Sequence, residues 1–311
     1  MASATGDSLR GAARPGLAAA TDLPARPGGR EDRTHLRVAR MSAPDADEGF
    51  AGRGEVRSFY RRGGSGPLLL LIHGAEADHG MFDALVELLA PRFTVVAYDQ
   101  RDSGRTTNGD APYGLEALAD DAADLIEAVG GSPTARAHVY GTSFGGQIAQ
   151  VLALRHPDRV ERLVLGSTWR VGRAIADFNA PVFADLMRLR ADPAAHAPAI
   201  ASYFLHDAYL AAHPEAMDIF RGTGRNDAQK QRRAAMMQSP PPAMDWAALQ
   251  APVLLMAGSA DRLIPPEATF ELAEHLRGAE RVLLEGVPHI GALAAPERVA
   301  LAVREFLDPN R

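Results

Sequence analysis

The chain is 311 residues long, 46% hydrophobic, and carries 39 acidic against 33 basic side chains for a formal net charge of −6. That length and apolar content can bury a large core, whereas an acidic balance without basic blocks offers nothing to hold a phosphate backbone, which excludes nucleic acid as the expected partner. With no cysteine there is no disulfide framework, thiolate nucleophile or cysteine metal site, and no stretch approaches the ~20 apolar residues that cross a bilayer, so a cytoplasmic location without membrane contact is expected.

Residues 1–45 open with "MASATGDSLRGAARPGLAAATDLPARPGGREDRTHLRVAR", rich in Ala, Gly, Pro and Arg and without apolar periodicity, and are read as a disordered tail. "PGLAAA" is too short for a secretory segment, and Asp22, Glu31 and Asp32 do not suit a transit peptide. Met41 is an alternative start to Met1.

From about Glu55, short apolar runs alternate with helical patterns. "PLLLLIH" (Pro67 to His73), "RFTVVAY" (Arg92 to Tyr98), "ARAHVYG" (Ala135 to Gly141), "VERLVLG" (Val160 to Gly166), "APVLLMAG" (Ala251 to Gly258) and "ERVLLEG" (Glu280 to Gly286) read as strands covered on both faces. Between them "GMFDALVELLA", "GLEALADDAADLIEAVG", "FGGQIAQVLALRHP", "PPEATFELAEHLRG" and "APERVALAVREFL" repeat apolar residues at three and four, as crossover helices do. The alternation predicts an α/β fold with a doubly wound, mostly parallel sheet. No clean strand interrupts the interval from Gly166 to Ala251, which is read as an inserted helical lid over residues 168–249, dividing a core of residues 46–167 and 250–311.

"AHVYGTSFGGQIAQ" places Ser143 between a strand and a helix, with Gly141 and Gly145 two residues to either side. G-x-S-x-G in that context is a strained corner that lifts the hydroxyl clear of the sheet, beneath the free N–H groups of the next helix. A serine nucleophile needs a base and an orienting group. Asp261 follows the strand ending "LLMAG", and His289 lies between the last strand and the last helix, giving the order Ser, Asp, His. The other histidines fit worse: His138 sits inside a strand, His156 and His275 end helices, and His196, His206 and His213 lie in the lid. The N–H of Phe144, after the nucleophile, and that of Ala75, after "LLIHG", are the expected oxyanion donors.

"HGA" (His73 to Ala75), "YDQRDSGRT" (Tyr98 to Thr106), "GTSFGG" (Gly141 to Gly146), "GSADRLIPPE" (Gly258 to Glu267) and "HIGALAAPE" (His289 to Glu297) together resemble the α/β-hydrolases, in their lidded group of esterases, lactonases and cofactor-free haloperoxidase-like enzymes. The resemblance spans about Glu55 to Leu307. It implies an eight-stranded sheet, a Ser143, Asp261 and His289 triad with Ala75 and Phe144 as oxyanion residues, and neither metal nor organic cofactor. Asp102 stands where relatives often carry glycine, a variant that resembles the aclacinomycin methylesterase branch and is read as a turn substitution. Ala75 replaces a bulky aromatic, Pro288 a usual glycine, and Glu76 would be costly near an oxyanion unless it points to solvent.

The expected activity is hydrolysis of a carboxylic ester or lactone of a small, largely apolar substrate through an acyl-enzyme. Thioester or C–C bond hydrolysis and perhydrolysis are alternatives on the same residues, and a ligand receptor with an inert triad is the alternative from another class. Dehalogenases and epoxide hydrolases need a carboxylate where Ser143 stands. Phe178, Phe183, Met187 and Phe204 are the lid candidates for substrate contact, among large apolar residues most of which pack the lid onto the core. "RNDAQKQRR" (Arg225 to Arg233) is read as a solvated helix face, and Arg170 and Arg173 as cations near the cleft.

Overall fold

A computed structural model describes residues 18–19, 47–222 and 224–308. Its strands, in chain order, are β1 (Asp47–Ala51), β2 (Ser58–Gly63), β3 (Leu68–Ile72), β4 (Thr94–Tyr98), β5 (Ala137–Thr142), β6 (Val160–Gly166), β7 (Val253–Gly258) and β8 (Glu280–Leu284). They lie in the order β1-β2-β4-β3-β5-β6-β7-β8. The pairs β1·β2 and β2·β4 are antiparallel and the rest parallel.

The apolar runs of the inner parallel strands are continuous because those strands have little or no water face: Leu69, Leu70 and Leu71 of β3 are all fully buried, whereas β8, expected to be covered on both faces, exposes Glu280 and Arg281 and buries only Leu284. Alternate residues serve two cores. Leu70 and Ile72 join Val96, Val139 and Leu255 on one side of the sheet, and Leu69 and Leu71 join Val95, Val164 and Met256 on the other. Each such side chain stabilises the fold by about 1.5–3 kcal/mol. Onto the first core pack helices α2 (Leu115–Gly130) and α3 (Phe144–Arg155), and onto the second α1 (Asp83–Leu89).

Between β6 and β7 the expected run of helices is present as α4 (Ala176–Leu189), α5 (Pro193–Ala201), α6 (Asp207–Ala212), α7 (Asp218–Arg221) and α8 (Asp227–Gln238). Helices α4 to α7 pack around their own apolar cluster, in which Leu186, Ile200, Phe204 and Phe220 meet Leu263, Ile264 and Ala268, whereas Met236 of α8 joins the first core of the sheet. The last helices are α9 (Pro266–Phe270), α10 (Gly291–Ala294) and α11 (Pro296–Leu307). The helix expected over "PPEATFELAEHLRG" is shorter, because after Phe270 the chain tightens into a 3-10 turn, Glu271–Glu274.

Two further differences concern the N-terminal part. Within the tail read as disordered, Ala18–Ala19 forms a two-residue strand parallel to Val282 and Leu283, satisfying backbone groups on the outer edge of β8. The rest of that tail, and the choice between Met1 and Met41, lie outside the described residues. The antiparallel edge, β1 and β2, went unread because "DEGFA" and "SFYRRG" lack an apolar run. No helix among the described residues is long and apolar enough to cross a membrane.

Candidate active site

β5 ends at Thr142 and α3 begins at Phe144, leaving Ser143 alone at the corner with φ 55° and ψ −125°. A β-carbon on Gly145 would lie 2.1 Å from the Ile72 carbonyl oxygen, and one on Gly141 2.4 Å from that of Gly145. Only glycine lets β3, β5 and α3 approach this closely. The left-handed backbone of Ser143 is held on both sides. Its N–H donates to Gly166 O at 2.9 Å, and its carbonyl accepts from Gly146 N–H at 2.9 Å and from the Thr168 hydroxyl at 2.6 Å. Thr168 is fixed in turn by Thr269, whose hydroxyl oxygen accepts from Thr168 N–H and whose proton goes to Thr168 O. Both threonines escaped the sequence reading, since their bonds join the loop after β6 to helix α9, 101 residues apart.

Asp261 and His289 arrive from the carboxyl ends of the neighbouring strands β7 and β8. His289 Nε2 lies 3.1 Å from Ser143 Oγ, and His289 Nδ1 lies 2.7 Å from Asp261 Oδ2. The other carboxylate oxygen of Asp261 accepts N–H groups from Leu263 at 2.9 Å and Ile264 at 2.8 Å. A carboxylate with no solvent exposure is thus engaged at both oxygens, which offsets its desolvation. With Asp261 accepting at Nδ1, that nitrogen carries the ring proton and Nε2 faces the serine with a lone pair.

The loop after β3 runs beside the hydroxyl: a β-carbon on Gly74 would lie 3.5 Å from Ser143 Cβ and 3.8 Å from Oγ. Ala75 is the next residue. Phe144 is the first residue of α3, one of the positions whose N–H has no partner within its helix. His73, at the end of β3, is a poor rival base. Burial, with Arg233 nearby, pushes it down to about 3. As a neutral ring it donates from Nδ1 to Gly74 O at 2.7 Å and accepts Gln100 N–H at Nε2 at 3.3 Å.

Glu76 is not left to solvent alone, because its carboxylate meets Arg190 at the end of α4, 2.9 Å away. Of the four candidates in the helical insertion, Phe204 is buried with its ring edge-on to His289, centroids 5.4 Å apart. Phe178 is partly buried against the cluster of the helical insertion and beside Trp169, whereas Phe183 and Met187 are exposed. Arg173 is bonded to Glu271, and Arg170 lies 4.0 Å from the same carboxylate.

The segment from Arg225 to Arg233 is not a solvated face throughout. Arg232 forks onto Asp102 at 2.6 and 3.1 Å and reaches Asp110 at 2.7 Å. Asp102 is more than a turn substitution: it is buried, has φ 55°, and accepts from Tyr113 OH at 2.9 Å. Although burial raises its pKa, the bonds from Arg232, Tyr113 and Asn108 bring the net shift below the usual aspartate value. Arg225 donates to Ala75 O at 3.0 Å, Asp102 O at 2.5 Å and Ser103 Oγ at 2.8 Å. Burial and the charge of Arg233 push Arg225 down to about 10, still a cation at neutral pH. Arg233 is buried and donates to Gln100 Oε1 at 2.8 Å and Ala75 O at 3.3 Å. Helical periodicity could not show these inward turns, because the acceptors come from β3 and β4 loops more than 120 residues away.

Asp78, His79 and Asp99 form a group with donors close enough for a metal ion among the described residues. Their donors already have partners: Asp99 accepts His79 N–H, His79 Nδ1 and Arg105 N–H, and Asp78 accepts Gly80 N–H.

Comparison with known proteins gives a consistent result. The family described as the alpha/beta hydrolase fold matches residues 67–296. A pimeloyl-acyl-carrier-protein methyl ester esterase of Neisseria meningitidis is 30% identical over 250 residues, covering 76% of this chain and 92% of the relative. Rhodomycin D methylesterase DauP of Streptomyces sp. strain C5 is 30% identical over 275 residues, covering 76% and 89%. Among solved structures, a thermophilic esterase from Thermogutta terrifontis superimposes with a TM-score of 0.69 at 25% identity, covering 85% of this chain and 98% of that one.

Proposed function

The chain belongs to the α/β hydrolase family and is a hydrolase acting on ester bonds, and from that premise we propose that it cleaves a carboxylic ester or lactone through an acyl-enzyme on Ser143. The reading is carried by one observation, the unbroken line of hydrogen bonds from Ser143 Oγ through the His289 ring to Asp261. His289 Nε2 takes the serine proton as Oγ attacks the carbonyl carbon. The amides of Ala75 and Phe144 stabilise the oxyanion, and Asp261 steadies the imidazolium. His289 then protonates the leaving alcohol, and the same base activates the water that releases the acid.

The helices over residues 168–249 act as the lid, with Phe204 as the apolar wall beside the base; Phe178, Phe183 and Met187 are the further candidates for contact with a small, largely apolar substrate. Both curated relatives described above are named for methyl esters, which supports a small alcohol as the leaving group. The test is Ser143→Ala, measured on p-nitrophenyl acetate and a series of methyl esters. Turnover should fall by on the order of a millionfold, because residues that act as a unit fail together. Labelling by a fluorophosphonate should vanish with it. A chain that never reacts with the fluorophosphonate would be the inert receptor instead.

A further inference from the structure

Arg233 touches both residues assigned above as oxyanion donors. Its Nη2 donates to the carbonyl of Ala75, and its guanidinium carbon lies 4.9 Å from the centre of the Phe144 ring. Arg225 reaches the same Ala75 carbonyl from a second direction. The oxygens these two arginines bond, Ala75 O, Gln100 Oε1, Asp102 O and Ser103 Oγ, are neutral, as is the Tyr113 hydroxyl that Arg233 also meets. The carboxylate of Asp102 is taken by Arg232 instead. Nε and Nη1 of Arg233 are buried without a hydrogen-bond partner. Burying a cation this incompletely is unfavourable for folding, so a structural role alone leaves the arrangement unexplained.

We propose that Arg233, assisted by Arg225, is a positioning residue of the oxyanion site: it clamps the Ala75 carbonyl and the Phe144 ring, and holds positive charge behind the developing oxyanion. Clamping fixes the direction of the two amides before reaction, and the charge acts from a buried position, where it is weakly screened. The contribution is realised only when the carbonyl oxygen becomes negative, so it belongs to the transition state and not to substrate binding.

This rests on the acyl-enzyme reading and is tested in the full chain by Arg233→Met, Arg233→Lys and, independently, Arg225→Gln, whose site is only half-buried. In Arg233→Met, kcat on p-nitrophenyl acetate should fall about ten- to hundredfold with KM nearly unchanged, the size expected of a group acting through another. Affinity for phenylboronic acid, whose tetrahedral adduct on Ser143 mimics the oxyanion, should fall by the same factor as kcat/KM. Arg233→Lys should recover part of both losses, since it restores charge without the fork. Arg225→Gln should show the same pattern at smaller amplitude and decides the matter if Arg233→Met fails to fold. Unchanged boronate affinity in the folded variants, whatever happens to kcat, overturns the proposal. Fluorophosphonate labelling separates the two failures: if the variants and parent label alike, only this inference falls, whereas an unreactive parent takes the acyl-enzyme reading down with it.

Discussion

Replacing Asp261 by Asn isolates the orientation of the base from the packing around it. One carboxylate oxygen holds the N–H groups of Leu263 and Ile264 at 2.9 and 2.8 Å, and the other holds His289 Nδ1 at 2.7 Å. A carboxamide has one accepting end. Two backbone donors will claim it, which turns the amide NH2 toward His289. Nδ1 must then accept, the ring proton moves to Nε2, and the atom 3.1 Å from Ser143 Oγ has no lone pair for the serine proton. A wrong tautomer of this kind reduces kcat about ten-thousandfold, equivalent to about 5 kcal/mol of lost transition-state stabilisation. Stability should hardly change, because both backbone donors keep their acceptor and a buried charge is removed. Asp261→Ala, by contrast, strands the two N–H groups at about 1–3 kcal/mol each. The assay is kcat on p-nitrophenyl acetate beside urea unfolding of both variants. If Asp261→Asn keeps activity within about tenfold of the parent, or loses activity only in proportion to lost folded protein, the assigned role of Asp261 is wrong.

Gly145→Ala should destabilise the fold by about 3 kcal/mol or more, since its methyl would sit 2.1 Å from a β3 carbonyl that cannot move independently of the sheet; the urea midpoint measures it, and an unaltered midpoint would contradict the close approach at the elbow. The His79–Asp99 pair should give stability a pH dependence of known sign. Burial lowers the His79 pKa, but the bonded Asp99 outweighs it, leaving a net shift above 6.5. A raised folded value means the contribution is fully present below the ordinary pKa of 6.5 and fades as pH rises through the folded value. The difference in urea midpoint between the parent and His79→Asn, followed from about pH 5 to about pH 9, should shrink as pH rises, the dependence of the buried neutral His73 being common to both.

The parts of the fold legible in sequence are those where local pattern and burial coincide. β3 and β7 are unbroken apolar runs because both faces are covered, and Ser143 announces itself through glycines that the corner requires. Asp261 and His289 could be placed by chain order, since β7 and β8 deliver them beside the serine. Arginine directions on α8 were illegible because a charged side chain on an amphipathic helix reads as solvated unless its partners are known, and Asp102 and Ala75 lie on other strands' loops. Thr168 and Thr269 carry no motif at all; their function is a mutual hydrogen bond that exists only after β6 and β7 are side by side.

Ser143 and His289 stand 146 residues apart in the chain, and the imidazole follows β8, the last strand of the described sheet in chain order. During synthesis the hydroxyl therefore leaves the ribosome long before the imidazole it meets in the folded chain. A nascent polypeptide bearing Ser143 but not yet His289 cannot form the contact between them, which closes only once β8 has been made and paired with β7.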